Sequence, residues 1–289
     1  MPAHELRLLS LLDVELESSF LVLARNMGIL TRVPTWGILI LGNPAGPILV
    51  DTGARDAEIM QRLGMTGFVT EEMRLENQLA AHDVAFDDVV AVLHTHCHID
   101  HAGQDDRFPL TTPVVMNRRE LEFSASGLMG GQYPPEYVKH HIDRLHTPGA
   151  LRLLDLELSG PEELYPGIVC EWAGGHTEGS MNILVETAEG TACICGDVLY
   201  DVQNQVADPW HQLLAYEPQA TGNHAMTKRQ EKAAIKRALN SGTFVLPIHD
   251  YPARVEHGRV VSRLRNAVPG PEWTVEEFVS EYAEPVAAV

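Results

Sequence analysis

The chain has 289 residues, 45% of them hydrophobic and 6% aromatic, and carries a formal net charge of −19 at pH 7. That length can bury a sizeable core, while the charge excludes nucleic acid and anionic membrane surfaces as partners, because both demand a dense positive face. A small uncharged molecule is the expected partner. The start, MPAHELRLLSLLDVELE, has neither a basic leader nor a small-residue cleavage site, and no apolar stretch is long enough to cross a membrane, so the cytoplasm is the expected compartment. Cys97, Cys170, Cys193 and Cys195 have no framework spacing and are expected as reduced, buried thiols.

The chain contains no repeat, low-complexity tract or linker, which points to one domain over 1–289. Apolar, β-prone runs at 19–25, 35–41 and 46–53 read as neighbouring strands separated by turn signals such as the Asn-Pro-Ala-Gly at 43–46. Helical patterns at 55–63 and 72–82 follow, and then Val-Val-Ala-Val-Leu at 89–93 reads as a buried strand that runs straight into HTHCHIDHAG at 94–103. Further strands are expected at 113–116, 168–173, 181–187, 191–196 and 243–248, with helices at 118–124, 135–145, 227–239 and 273–282. This order suggests two β-rich halves packed together with helices outside. The stretch 123–165 is too long for a simple connection and is a candidate substrate-covering insertion.

The motif at 94–103 concentrates metal-binding chemistry at the end of a strand, where a rigid sheet holds loops in place. In an extended segment His96 and His98 project to the same side and reach one ion, and Asp100 and His101 then face a second. Three more elements, each after an expected strand, supply what the motif lacks: GGHTEG with His176, CICGD with Asp197 and LPIHD with His249. The remaining histidines, His4, His82, His140, His141, His146, His211, His224 and His257, are expected at the surface or hydrogen-bonded. His94 is expected either to support a ligand or to be solvated.

The order His96, His98, Asp100, His101, then His176, Asp197 and His249 resembles the metallo-β-lactamase superfamily along nearly the whole chain. The resemblance implies an α/β fold, the αββα sandwich of two mixed sheets flanked by helices. It implies two divalent metal ions, the first held by His96, His98 and His176, the second by Asp100, His101 and His249, with Asp197 between them. Zinc is the default on ligand type, with iron, manganese and cobalt as alternatives. Such a centre implies hydrolysis by a metal-bridging hydroxide.

Within the superfamily, β-lactamases proper generally lack the bridging aspartate, glyoxalase II-like thioesterases carry a basic helical extension, and relatives that act on polyanions need basic surfaces. Flavodiiron-type relatives place glutamate where this chain has His98. The sequence is most similar to the N-acyl homoserine lactonases, in which a tyrosine follows the bridging aspartate by three positions, as in Asp197-Val198-Leu199-Tyr200. The Val-Pro-Thr-Trp at 33–36 and the strand at 46–53 share this resemblance. It implies a lactone-opening metal-dependent carboxylic ester hydrolase active in quorum quenching. Tyr200 would steady the carbonyl oxygen and Asp100 would shuttle the proton to the leaving oxygen. The chain departs from the family around Gly174-Gly175-His176-Thr177 and at Ile99, where an aromatic is usual, and these departures leave the acyl-chain preference open. The alternatives are hydrolysis of another small ester, thioester or amide, or a metal-containing sensor without turnover. A homodimer also stays open.

Overall fold

The computed structural model describes residues 3–207, 217–264 and 278–279. Seven strands build the first sheet: β1 (Glu5–Glu17), β2 (Leu30–Leu41), β3 (Ile48–Val50), β4 (Thr66–Phe68), β5 (Ala91–Leu93), β6 (Val114–Asn117) and β7 (Leu151–Leu154). Their spatial order is β4-β1-β2-β3-β5-β6-β7, with β3, β5, β6 and β7 parallel and the β1–β2 hairpin antiparallel. The second sheet holds β8 (Glu162–Tyr165), β9 (Ile168–Trp172), β10 (Met181–Thr187), β11 (Gly190–Gly196), β12 (Phe244–Pro247), β13 (Ala253–Glu256), β14 (Arg259–Leu264) and β15 (Phe278–Val279). These lie in sequence order, and β11–β12 is their one parallel pair among the described residues. Among the described residues the α-helices are α1 (Leu75–Ala80), α2 (Arg118–Ala125), α3 (Pro135–Leu145), α4 (Leu156–Ser159) and α5 (Lys228–Ser241).

Apolar residues divide into three layers, which is what an αββα sandwich requires. Ile38, Ile40, Ile48, Val50 and Leu93 of the first sheet meet Ile168, Ile183, Ile194 and Leu246 of the second. The outer face of the first sheet packs Leu39, Leu49 and Val92 against Leu75, Leu79, Leu121 and Tyr137. On the far side Cys193, Cys195 and Val245 pack against Ala234, Ile235, Ala238 and Leu239 of α5. Helix α5 was expected at 227–239, and Thr227 caps its start by accepting from the Gln230 amide.

A single irregularity in β1 shapes everything that follows. The pairing of β1 with β2 slips between Ser10 and Leu12, which leaves one extra residue on β1. Because side chains alternate with a period of two, that residue exchanges the faces. Leu6 and Leu8 lie between the sheets, whereas Leu12, Val14 and Leu16 join the opposite, helix-side layer.

Several elements differ from the sequence reading. The run at 19–25 is no strand: a 3₁₀ turn at Ser18–Phe20 opens it, and positive φ at Ala24 and Asn26 (59° and 51°) breaks extended pairing. The strand lies upstream, at Glu5–Glu17. The helix at 55–63 shortens to a 3₁₀ segment, Glu58–Leu63, stopped by left-handed Gly64, and 72–82 shortens to α1. The helix expected at 273–282 falls outside the described residues except for Phe278–Val279, which pair with β14 as a strand. The stretch 123–165 is not a loop. It carries α3, β7, α4 and β8, so it extends the edges of both sheets.

Candidate metal centre

Strands β3, β5 and β11 all end at the same edge, and the loops that leave them meet there. Asp51 follows β3 in the left-handed region (φ 56°), a conformation that costs a non-glycine residue about 1–2 kcal/mol. From there its carboxylate reaches the loop after β5, accepting from the Thr95 amide (2.9 Å), the Thr95 hydroxyl (2.7 Å) and His101 Nδ1 (2.9 Å). His176 arrives on the turn after β9. Gly175 must precede it: its φ is 85°, and a Cβ there would stand 2.3 Å from the Ala234 Cβ. Asp197 follows β11 and His249 follows β12.

Six histidine and aspartate side chains surround Asp197. His96 Nε2 (3.7 Å) and His176 Nε2 (3.4 Å) face its Oδ2, whereas His101 Nε2 (3.2 Å) and His249 Nε2 (3.3 Å) face its Oδ1. His98 Nδ1 lies 3.0 Å from His176 Nε2, and Asp100 Oδ2 lies 3.4 Å from His249 Nε2. Two donor sets result. In one, ligand atoms of His96, His98, His176 and Asp197 all lie within 4.8 Å of one another; in the other, so do those of Asp100, His101 and His249. All seven residues are buried.

The arrangement fits a pair of divalent cations and little else. His96 Nε2, His98 Nε2, His101 Nε2 and Asp197 Oδ1 are buried without a hydrogen-bond partner among the described residues, and such orphans are costly unless something binds them. Burial, aided by the neighbouring imidazoles, holds His96 and His98 well below the usual histidine range and His176 down at about 4, so these rings are neutral and able to coordinate. Burial alone would raise the Asp197 pKa. Chiefly the charges of His249 and His101 overcome it and hold the carboxyl well below its ordinary value.

Residues 30–241 match the model of the metallo-beta-lactamase superfamily. The chain belongs to this superfamily. Among curated proteins it is 29% identical over 191 residues to an N-acyl homoserine lactonase of Bacillus thuringiensis, covering 63% of this chain and 70% of the relative. It is 32% identical over 217 residues to the human metallo-beta-lactamase domain-containing protein 1, covering 73% of this chain and 60% of that one. Among solved structures, an N-acyl homoserine lactone hydrolase with the product N-hexanoyl-L-homoserine at its catalytic metal center aligns with a TM-score of 0.64 at 24% identity, over 82% of this chain and 88% of that one. AidC, a dizinc quorum-quenching lactonase, aligns at 0.61 and 17%, over 89% and 93%. These structures share the fold.

In this superfamily member each ligand-bearing segment has an anchor, and several of the anchors were invisible in the sequence. His249 Nδ1 donates to the Pro34 carbonyl of β2 (2.9 Å), and the Asn223 side chain meets both the ring (Nδ1, 2.7 Å) and the carbonyl of His176. Glu120 of α2 is fully buried, and its carboxylate accepts from the Cys97 amide between His96 and His98, from the Thr177 hydroxyl beside His176, and from the Tyr133 phenol. Burial raises its pKa, against those three donors. Nothing in the spacing pointed to Glu120 or Asn223; Asp51 stood inside a quoted strand without a role. Lys228 at the start of α5 ties down the Thr221 and Asn223 carbonyls.

His94 touches none of the seven. Its Nδ1 lies 3.2 Å from Asp51 and its Nε2 2.8 Å from Asp105, and burial works against its charged form, but the two carboxylates outweigh that and push its pKa up to about 9. His141, expected to be surface or hydrogen-bonded, is buried and bonds to Asp105 from α3 (2.8 Å). The Tyr200 ring stacks on His249 with centroids 5.3 Å apart and 14° between planes. Burial, with the Asp197 charge close by, pushes its phenol well above the usual tyrosine range. Trp210, His211 and Tyr216 lie outside the described residues.

A cavity of about 280 Å³ opens onto the site. Val14, Leu16, Val33, Met60, Leu63 and Met65 form its apolar wall, and His98, Asp100, Asp197, Tyr200 and His249 close its end. Ile99 also faces it, and from the stretch 123–165 only Met129 and Gln132, among the described residues, reach it.

Proposed function

We propose that the chain is a dinuclear-metal hydrolase that opens an N-acyl homoserine lactone or a similar cyclic ester. His96, His98 and His176 would hold one ion, Asp100, His101 and His249 the other, and Asp197 would lie between them, with zinc as the metal that best suits this mixture of imidazole and carboxylate. The observation that carries this reading is the cavity: an apolar wall ends on a cluster of metal-binding groups and one tyrosine. A neutral ring with an apolar acyl chain matches that sequence of surfaces, and the similarity to the N-acyl homoserine lactonase of Bacillus thuringiensis supports it.

Ions bound there would supply hydroxide at neutral pH and Lewis acidity toward the attacked and leaving oxygens. The chain's own groups do the rest. The Tyr200 phenol stays protonated at neutral pH and donates to the carbonyl oxygen as charge gathers on it. Asp100, at the cavity's end beside His249, takes the proton of the attacking oxygen once that oxygen has added to the carbonyl carbon and passes it to the ring oxygen as the C–O bond breaks. Val14, Leu16 and Met65 hold the acyl chain and exclude water. The product is a hydroxy acid, which releases one proton at neutral pH.

That proton is the assay. Metal-loaded protein in a pH-stat is expected to turn over acyl homoserine lactones in preference to simple γ- and δ-lactones, a thioester and a β-lactam. Turnover of the thioester or β-lactam alone would discard the lactone and keep the hydrolase. The reading places the enzyme in the cytoplasm as one domain, in keeping with its four buried free thiols.

A further inference from the structure

Behind the second donor set a buried chain of polar groups runs from His101 to α3. His101 Nδ1 bonds to Asp51 (2.9 Å), Asp51 faces His94 (3.2 Å), His94 faces both oxygens of Asp105 (2.8 and 3.0 Å), and Asp105 accepts from His141 Nε2 (2.8 Å). Every side chain in it is at most 2% exposed. A second route joins the same ends through the backbone. The Thr52 hydroxyl lies 3.0 Å from Asp105 Oδ1 and 3.1 Å from the His101 carbonyl, which also accepts from the Thr52 amide at 2.6 Å.

Helix α3 grips the metal-bearing loop at three points along one face. Tyr137, His141 and Arg144 are spaced by four and three residues and are all buried. The Tyr137 phenol reaches the Ile99 carbonyl between His98 and Asp100 (3.3 Å) and takes the Arg55 amide (3.1 Å). His141 reaches the Asp105 carboxylate, and the Arg144 guanidinium reaches the Asp105 and Phe108 carbonyls at 2.8 Å each. His141 Nδ1 has no hydrogen-bond partner among the described residues, which leaves Nε2 as the nitrogen that donates toward Asp105. A helix that served only to cover the sheet would bury apolar residues on this face.

We infer that Asp105 and His141 are positioning residues for the second donor set, through which helix α3 fixes the orientation of His101. This rests on the proposed dinuclear centre. The stretch that the sequence marked as a cover for substrate is, in its helical part, a buttress for the metal loop. A carboxylate behind a ligating histidine fixes the ring and raises its basicity, and loss of such partners costs about 10–100-fold in metal affinity. Here the partner is itself held in place by Asp105 through His94.

The test is metal binding, read apart from catalysis. Metal-stripped full-length protein is titrated with Co²⁺ alone, followed by its visible bands and by competition with a chelator. Wild type is expected to take up two equivalents. In Asp105→Asn one binding step weakens by about 10–100-fold with a changed Co²⁺ spectrum while the other step holds, and His141→Gln shifts the same step less. On a lactone that wild type turns over, kcat falls in both variants and KM holds. Unchanged affinities in both variants, even with a lowered melting temperature, would reduce the network to a structural brace and overturn the inference. Equal weakening of both steps would overturn it too. So would a third wild-type equivalent that Asp105→Asn abolishes, which would make His94, Asp105 and His141 a metal site of their own. If Asp105→Asn does not fold, His141→Gln decides by the same criteria. Two equivalents bound with no lactone turnover would sink the substrate reading alone.

Discussion

Around His176 the bracing is neutral, an asparagine amide on its ring; around His101 it is anionic, with Asp51 on the ring and the His94–Asp105–His141 chain behind it. Glu120 is a carboxylate on the first side, but it grips the chain between the ligands and not an imidazole. His249, on the second side, leans on the Pro34 carbonyl. The first donor set is therefore held chiefly by where three loops are pinned, and the second by charge passed through a ring. Shared between them, Asp197 turns one oxygen to each.

The change that erases this contrast is Asp197→Asn. It is expected to weaken both binding steps and to cut turnover roughly 10³-fold, the several kcal/mol of charge stabilisation that bound metal provides; full occupancy by metal analysis, with full activity, would show that the two sets do not share it. Next in size, Tyr200→Phe leaves both sets intact and is expected to lower kcat by about 10²-fold with metal content unchanged. An unaltered rate would remove the phenol from the reaction. Asn223→Ala sharpens the comparison most directly. One Co²⁺ binding step is expected to weaken by about tenfold, and it should be the step that Asp105→Asn leaves alone, so the double variant weakens both.

The pH dependence of the metal-free protein separates the two sides in opposite directions. His176 has its pKa lowered to about 4, so the unfolded chain takes up its proton first, and stability is lost as pH falls from 6.5 toward 4. His94 has its pKa raised to about 9, so its contribution is complete below pH 6.5 and is lost as pH rises through 9. Each amounts to about 3 kcal/mol. Denaturant titrations of the metal-free wild type, His176→Gln and His94→Gln across this range read the two contributions as differences. Parallel curves for all three would refute the assignment.

The seven clustered residues could be picked out of the sequence because a ligand must be one of a few residue types, and these stand in a fixed order at strand ends. Their supports carried no such mark. Any polar group at the right distance serves, and Glu120, Asn223 and the Pro34 carbonyl are brought in by tertiary packing from elements far away in the chain. Of the two places expected for His141, surface or hydrogen-bonded, the structure gives the second, because its face of α3 is buried against Asp105. The two sheets were foreseen, but β1 was not, since both faces of Leu6–Leu9 are buried and the extra residue near Leu11 shifts the alternation that follows. At 19–25 the apolar composition misled because positive φ at Ala24 and Asn26 is a backbone property that composition does not record.

The slip at Ser10/Leu12 acts on β1 as a change of phase. Upstream of it, even-numbered residues are committed to the layer between the sheets; downstream, the same parity belongs to the helix-side layer, where Val14 and Leu16 also line the cavity. One strand thus serves two surfaces, so a substitution in its first half is expected to disturb the packing of sheet on sheet, and one at Val14 or Leu16 to reshape the cavity wall.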